Sequence, residues 1–145
     1  MNASPTASVH NVRLQSSALM KWADLAGRVL LVSLFIVAGL RQLGAGYAGT
    51  AHMMASRGLP ALLLPLVILT ELGAGLAVLV GWRTRIAAFL LAGYTILTAL
   101  IFHTNFASAA EASSFRLHMP IIGGFLILMV NGAGPISLDH LRSSK

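Results

Sequence analysis

The chain has 145 residues, 57% of them apolar and only 10% charged, with a mean hydropathy of +0.81, whereas soluble domains carry about a quarter charged residues; an ordinary water-soluble fold is excluded. The formal charge of +6 does not point to nucleic acid, because the basic residues stand singly at the ends of apolar runs and form no basic, aromatic-rich polar face. Cysteine is absent, which excludes disulfides, thiolate metal sites and thiol redox chemistry within the chain.

Residues 1–20 are polar and rich in Ser and Ala, with Pro5 and the single Arg13, and read as a mobile tail. The first apolar run, about Asp24 to Gln42, exceeds the roughly 7–15 residues of a signal-peptide core, so it reads as an anchor and not as a cleaved leader. Three more runs follow, Leu59 to Val80, Thr84 to His103, and Leu117 to about Gly132. About 20 apolar residues cross a hydrocarbon core of about 30 Å, and open spans in lipid pair all their backbone groups only as helices. The expected fold is therefore all-α, a transmembrane four-helix bundle occupying residues 21–139, with 140–145 as a short tail. The fourth span is expected to be the weakest, since Pro120, Gly123-Gly124 and Asn131 interrupt it.

The connections add detail. Gly81 to Arg85 is long enough only for a tight antiparallel turn with an interfacial Trp82. The connection from Gly44 to Gly58 admits a short surface helix between Thr50 and Arg57, and Pro60 marks the start of the second span. Thr104 to Arg116 reads as a polar loop. Four spans put both termini on one side, together with Arg13, Lys21, Arg28, Arg83, Arg85, Arg142 and Lys145; the other side holds Arg41, Arg57 and Arg116. Seven against three places both termini in the cytoplasm of a bacterial inner membrane by the positive-inside bias.

An ionisable group inside a span costs a few kcal/mol on insertion scales and is a functional candidate for that reason. Glu71 lies about 16 Å along its helix from Pro60, near mid-membrane, and Ala74 and Gly75 on the next turn leave room for a neighbouring helix. Ala88, Ala92, Thr95 and Ala99 form one small-residue face of the third span, and His103 continues that row outward. Arg41, Gln42, His103, Asn105, Arg116 and His118 are expected to gather at the outer boundary above Glu71. The competing readings are plain ones: arginines that snorkel to the interface, and a Glu71 that only bonds helix to helix. No spacing motif supports a metal, and haem ligation by His103 and His118 is disfavoured.

Six segments together resemble the DoxX family: A-G-L-R-Q-L at Ala38 to Leu43, A-G-T-A-H-M-M-A-S-R-G-L-P at Ala48 to Pro60, E-L-G-A-G-L-A at Glu71 to Ala77, F-H-T-N-F-A at Phe102 to Ala107, I-I-G-G at Ile121 to Gly124, and G-P-I-S-L-D at Gly134 to Asp139. The resemblance implies a small four-helix membrane protein, some of whose relatives resemble or form the membrane part of thiosulfate:quinone oxidoreductase or were named as quinol-oxidase subunits. By position it carries the family's acid to Glu71 and its Phe-His pair to Phe102-His103. Two departures stand out: Gln42 beside Arg41 where many relatives have Lys or His, and His118 where many have Asn.

The expectation drawn from these readings is a subunit or accessory of a quinone-linked redox system, with Glu71 and His103 handling protons and Arg41, Gln42, Asn105, Arg116 and His118 binding. The expected partners are the lipid bilayer, a redox protein, or further copies of the chain through its small-residue faces. The alternatives are a non-enzymatic scaffold that docks a partner and a small-solute transporter, for which four helices give little room.

Overall fold

The computed structural model describes the backbone of residues 5–144 and the side chains of residues 18–144. Helix α1 runs Pro5–Gln42 and α2 Tyr47–Ser56. The second span is composite: a 3-10 turn over Ala61–Leu63, α3 over Leu64–Leu69, a π turn over Thr70–Ala74, and α4 over Gly75–Val80. Then come α5, Thr84–Phe102, α6, Ala109–Asn131, and the short α7, Leu138–Ser143. Four of these stretches are long and apolar enough to cross a membrane: Ala18–Gln42, Ala61–Val80, Thr84–Phe102 and Ala109–Asn131.

The interior is narrow because most large apolar side chains point outward, as lipid-facing helices require. Leu30, Leu34, Leu66, Leu69, Phe89, Leu97 and Ile127 are all exposed. Lipid tails are as apolar as leucine, so close packing and interhelical hydrogen bonds hold the helices together, and small residues mark the contact lines. Ala88, Ala92, Thr95 and Ala99 are all buried, and α5 packs along α6 on the most extensive contact in the fold. Phe35 sits edge-on to Tyr94 at 6.2 Å and to Phe125 at 5.3 Å between ring centroids, joining α1, α5 and α6.

Three boundaries differ from the sequence reading. The first helix continues back to Pro5 through the segment read as a tail; proline fits a first helical turn, where its missing amide costs nothing, and residues 1–4 lie outside the described residues. The surface helix of the first connection, expected over 50–57, begins earlier at Tyr47. The fourth span begins at Ala109 and passes unbroken through Pro120. Its start is capped by Ser108, whose hydroxyl accepts the Glu111 amide at 3.5 Å. A proline inside a membrane helix is tolerated where neighbours meet the freed backbone groups.

The end of the bundle that carries the 81–85 turn and α7, here the terminal end, is tied by polar groups. Arg28 is 2% exposed, so it is no flanking charge of the kind counted from the sequence. Its Nη1 donates to the carbonyls of Val78 at 3.2 Å and Leu79 at 3.1 Å, Nη2 donates to Ile136 O, and Nε lies 3.4 Å from Asp24 Oδ2. One guanidinium thus closes the last turn of α4, where the helix dipole favours a cation, and fastens α1 to the segment before α7. Asp139 accepts the amides of Arg83 at 2.7 Å and Thr84 at 2.8 Å, capping α5. Gly81, at φ +72°, turns the chain against Ser137, whose Cβ would lie 2.3 Å from any Cβ placed there.

Candidate functional site

Glu71 sits in the π turn and is 4% exposed. A π turn admits one extra residue per ring and recurs at functional positions in helices. Thr70 Oγ1, beside Glu71, donates to Leu66 O at 2.9 Å, the usual i−4 bond of a helical threonine. Glu71 faces α1 and α5. Its Oε1 accepts the Tyr94 hydroxyl at 2.6 Å, and its Oε2 accepts Gln42 Nε2 at 2.9 Å. Gly39 makes this convergence possible: a Cβ there would fall 2.7 Å from Leu72 Cγ and 3.4 Å from Glu71 Cβ, so only glycine lets the backbone of α1 lie this close to the π turn.

Two donors on one carboxyl match its ionised form, which accepts at both oxygens. The neutral form needs an acceptor for its own proton. Gln42 Oε1 is buried and has no partner, and turning the amide over would offer that oxygen to a protonated Glu71. Tyr94 and Gln42 therefore offer the carboxyl partners in either protonation state, with one buried amide group of Gln42 left unpartnered in each.

A second polar group lies at the opposite end of the bundle. Arg57, from the turn after α2, donates to Ile101 O at 3.3 Å and Phe102 O at 3.2 Å, the last carbonyls of α5, and pairs with Glu111 at 3.1 Å. Glu111 also accepts the Asn105 amide at 3.0 Å. Beside this clasp the His103 and His118 rings lie 5.0 Å apart at 45°. His118 Nδ1 is 2.7 Å from Ser114 O, which assigns the proton to Nδ1 and leaves Nε2 as the acceptor. Burial, then the neighbouring His118, lowers the His103 pKa below the usual imidazole value; Glu111 opposes this and Arg57 adds to it.

The expected outer cluster is thus only partly assembled. Gln42 joins Glu71, and His103 joins His118, but Asn105 takes part through its backbone alone. Arg41 and Arg116 are exposed, and among the described residues neither makes a side-chain hydrogen bond or ion pair. His103 follows Tyr94 by nine residues on α5, about 13 Å at 1.5 Å per residue, so the carboxyl and the imidazole do not touch. Among the described residues no three His, Asp or Glu side chains converge as metal ligands would. Sequence reasoning missed Tyr94, although a tyrosine within a membrane span needs a partner for its hydroxyl. It also missed Glu111, whose signal was the Ser108-x-x-Glu111 capping pattern.

Comparison with known proteins places these groups in context. The DoxX family model matches residues 23–104, which include Gln42, Glu71, Tyr94 and His103. The chain is 46% identical over 121 residues to the inner membrane protein YqjF of Escherichia coli strain K12, covering 83% of this chain and 92% of that protein. It is 35% identical over 123 residues to the inner membrane protein YphA of the same organism, covering 80% and 87%. No solved structure matches the chain.

Proposed function

The chain belongs to the DoxX family of inner membrane proteins, and from that premise we propose that it serves a quinone-linked redox system by handling the proton that accompanies quinone chemistry. The observation that carries this reading is Glu71 itself: an acid near mid-membrane, on a π turn, whose partners suit both its charged and its neutral form. Glu71 would release its proton toward a quinone oxygen and remain as a carboxylate held by the Tyr94 hydroxyl and the Gln42 amide. Gln42 is the replaceable partner, since it ends α1 and is half-buried; a ligand oxygen would take its place on Glu71. On this reading something bound carries the electrons, because the chain has no thiol of its own. His103 would exchange protons with the loop end through intervening water, given its distance along α5. Arg41 and Arg116, exposed at the loop end of their helices, are offered as charges for a redox partner or an anionic ligand.

The positive-inside bias supports an orientation with both termini cytoplasmic. Setting aside the buried Arg28 leaves six basic residues against three.

A second reading rests on the same hydrogen bonds: a structural clasp joining α1, the π turn and α5, in a protein that works as a scaffold. The test is binding of a short-chain quinone to the protein in lipid nanodiscs, with Glu71→Gln and Tyr94→Phe compared at unchanged helicity. Proton handling predicts at least roughly tenfold weaker quinone binding for Glu71→Gln, from one charge-assisted contact. Unchanged quinone binding together with lowered stability establishes the clasp and overturns the redox reading.

A further inference from the structure

At the terminal end a groove of about 640 Å³ opens between the start of α5, the end of α6 and one side of α7. Arg83, Arg85, Asn131 and His140 supply polar side chains to its lining. Arg83 and Arg85 make no ion pair among the described residues, and the one carboxylate on the lining, Asp139, is taken up by the Arg83 and Thr84 amides. That carboxylate is held below the usual aspartate range: burial opposes its ionisation, but the Thr84 and Arg83 bonds and nearby Arg142 outweigh it. Gly132, also on the lining, stands at φ +81°, a left-handed backbone conformation that favours glycine.

The position of the groove decides the ligand. It lies where two membrane helices end, α5 beginning at Thr84 and α6 finishing at Asn131, with Trp82 beside it at a position typical of interfacial aromatics. From this level exposed apolar side chains run down both helices into the span, Ile86 and Leu90 on α5 and Val130 and Ile127 on α6. A ligand that suits both features has an anionic phosphate at the guanidinium level and acyl chains along those leucines and isoleucines. Basic pockets between membrane helices recognise anionic headgroups in this way, and paired guanidinium forks match phosphate oxygens.

We propose that this groove binds the headgroup of an anionic phospholipid, with its phosphate between Arg83 and Arg85 and its headgroup hydroxyls toward Asn131 and His140. The inference does not depend on the redox reading, because the groove and Glu71 share no lining residue.

The test is native mass spectrometry of the full-length protein released from nanodiscs of dioleoylphosphatidylglycerol or dioleoylphosphatidylcholine. One retained phosphatidylglycerol per chain is expected, and the Arg83→Gln, Arg85→Gln double variant should bind it about ten- to thirtyfold more weakly, as the loss of two basic residues near an anionic headgroup predicts. The charge-matched Lys21→Gln, Arg142→Gln variant, at the same end of the bundle, should bind as the wild type does, which separates a built site from net charge. Circular dichroism melting confirms that the variants are folded before they are compared. Equal retention of the two lipids, equal loss in both double variants, or binding of glycerol phosphate or inorganic phosphate as tight as that of the lipid would each overturn the proposal.

Discussion

Replacing Arg28 tests whether one buried guanidinium holds the terminal end together. Its side chain is 1% exposed, and it serves three carbonyls and Asp24 at once. In Arg28→Met the apolar stem is kept while Leu79 O, Ile136 O and Asp24 lose the guanidinium and Val78 O keeps only the Gly81 amide, at 3.2 Å. A bond to a charged group contributes about 1.5–3 kcal/mol, and a buried carbonyl left without its donor keeps its desolvation cost; Arg28 serves three carbonyls, and these outweigh the part-exposed Asp24. We therefore expect Arg28→Met to lose about 3–5 kcal/mol. Arg28→Lys keeps the charge but not the fork, and should lose less. Asp24→Asn should lose only about 1 kcal/mol, because the Asp24 side chain is 32% exposed and solvent screens the 3.4 Å contact. Reversible unfolding in mixed detergent–SDS micelles measures all three. A loss below about 1 kcal/mol for Arg28→Met, or a larger loss for Asp24→Asn than for Arg28→Met, would refute the reasoning.

Other perturbations read different parts of the structure. Gly81→Ala combines a left-handed backbone, about 1–2 kcal/mol for a residue with a side chain, with a Cβ 2.3 Å from that of Ser137; a loss of at least about 2 kcal/mol in the same unfolding assay is expected. Asp139→Asn keeps one acceptor oxygen but turns the other into an amide donor facing the Arg83 or Thr84 N–H, and should cost about 1 kcal/mol. Because the folded state lowers the Asp139 pKa, the stability from its charge is whole above the ordinary aspartate value of about 3.9 and disappears as pH falls through the lowered value, so the two melting curves should converge in acid. For His103, also lowered on folding, the corresponding contribution is whole above about pH 6.5 and is lost as pH falls through the folded value. His103→Gln should accordingly flatten the decline in melting temperature below that pH.

The four crossings were legible because each needs a long apolar run, and no soluble arrangement explains four of them in a chain with so few charges. What escaped was set by contacts between distant residues. Arg28 looked like a flanking cation because it stands near the end of a span; its burial depends on carbonyls of Val78, Leu79 and Ile136, about 50 and 108 residues away. The fourth helix looked short because hydropathy weighs polar residues against a span, whereas Ser108 and Glu111 were a helix start written in capping chemistry. Glu71 could be singled out by the cost of an acid in lipid. Its partners could not, since Gln42 reaches it only because Gly39 lets α1 come close and the π turn aims the carboxyl between α1 and α5. Helix rise puts His103 about 13 Å beyond the level of Tyr94, the partner of Glu71 on α5. The same arithmetic grouped Arg41 and Arg116 with the histidines, but depth alone does not fix which face of a helix a side chain takes.

The central claim is that Glu71 changes its protonation state when quinone is reduced at this protein. Infrared difference spectroscopy of the chain in nanodiscs, recorded between oxidised and reduced short-chain quinone, observes that event directly. The account predicts a carboxyl C=O band that changes with quinone redox state, shifts in deuterated water and in Tyr94→Phe, and is lost in Glu71→Gln. A difference spectrum with no such band, or with the band retained in Glu71→Gln, would contradict it.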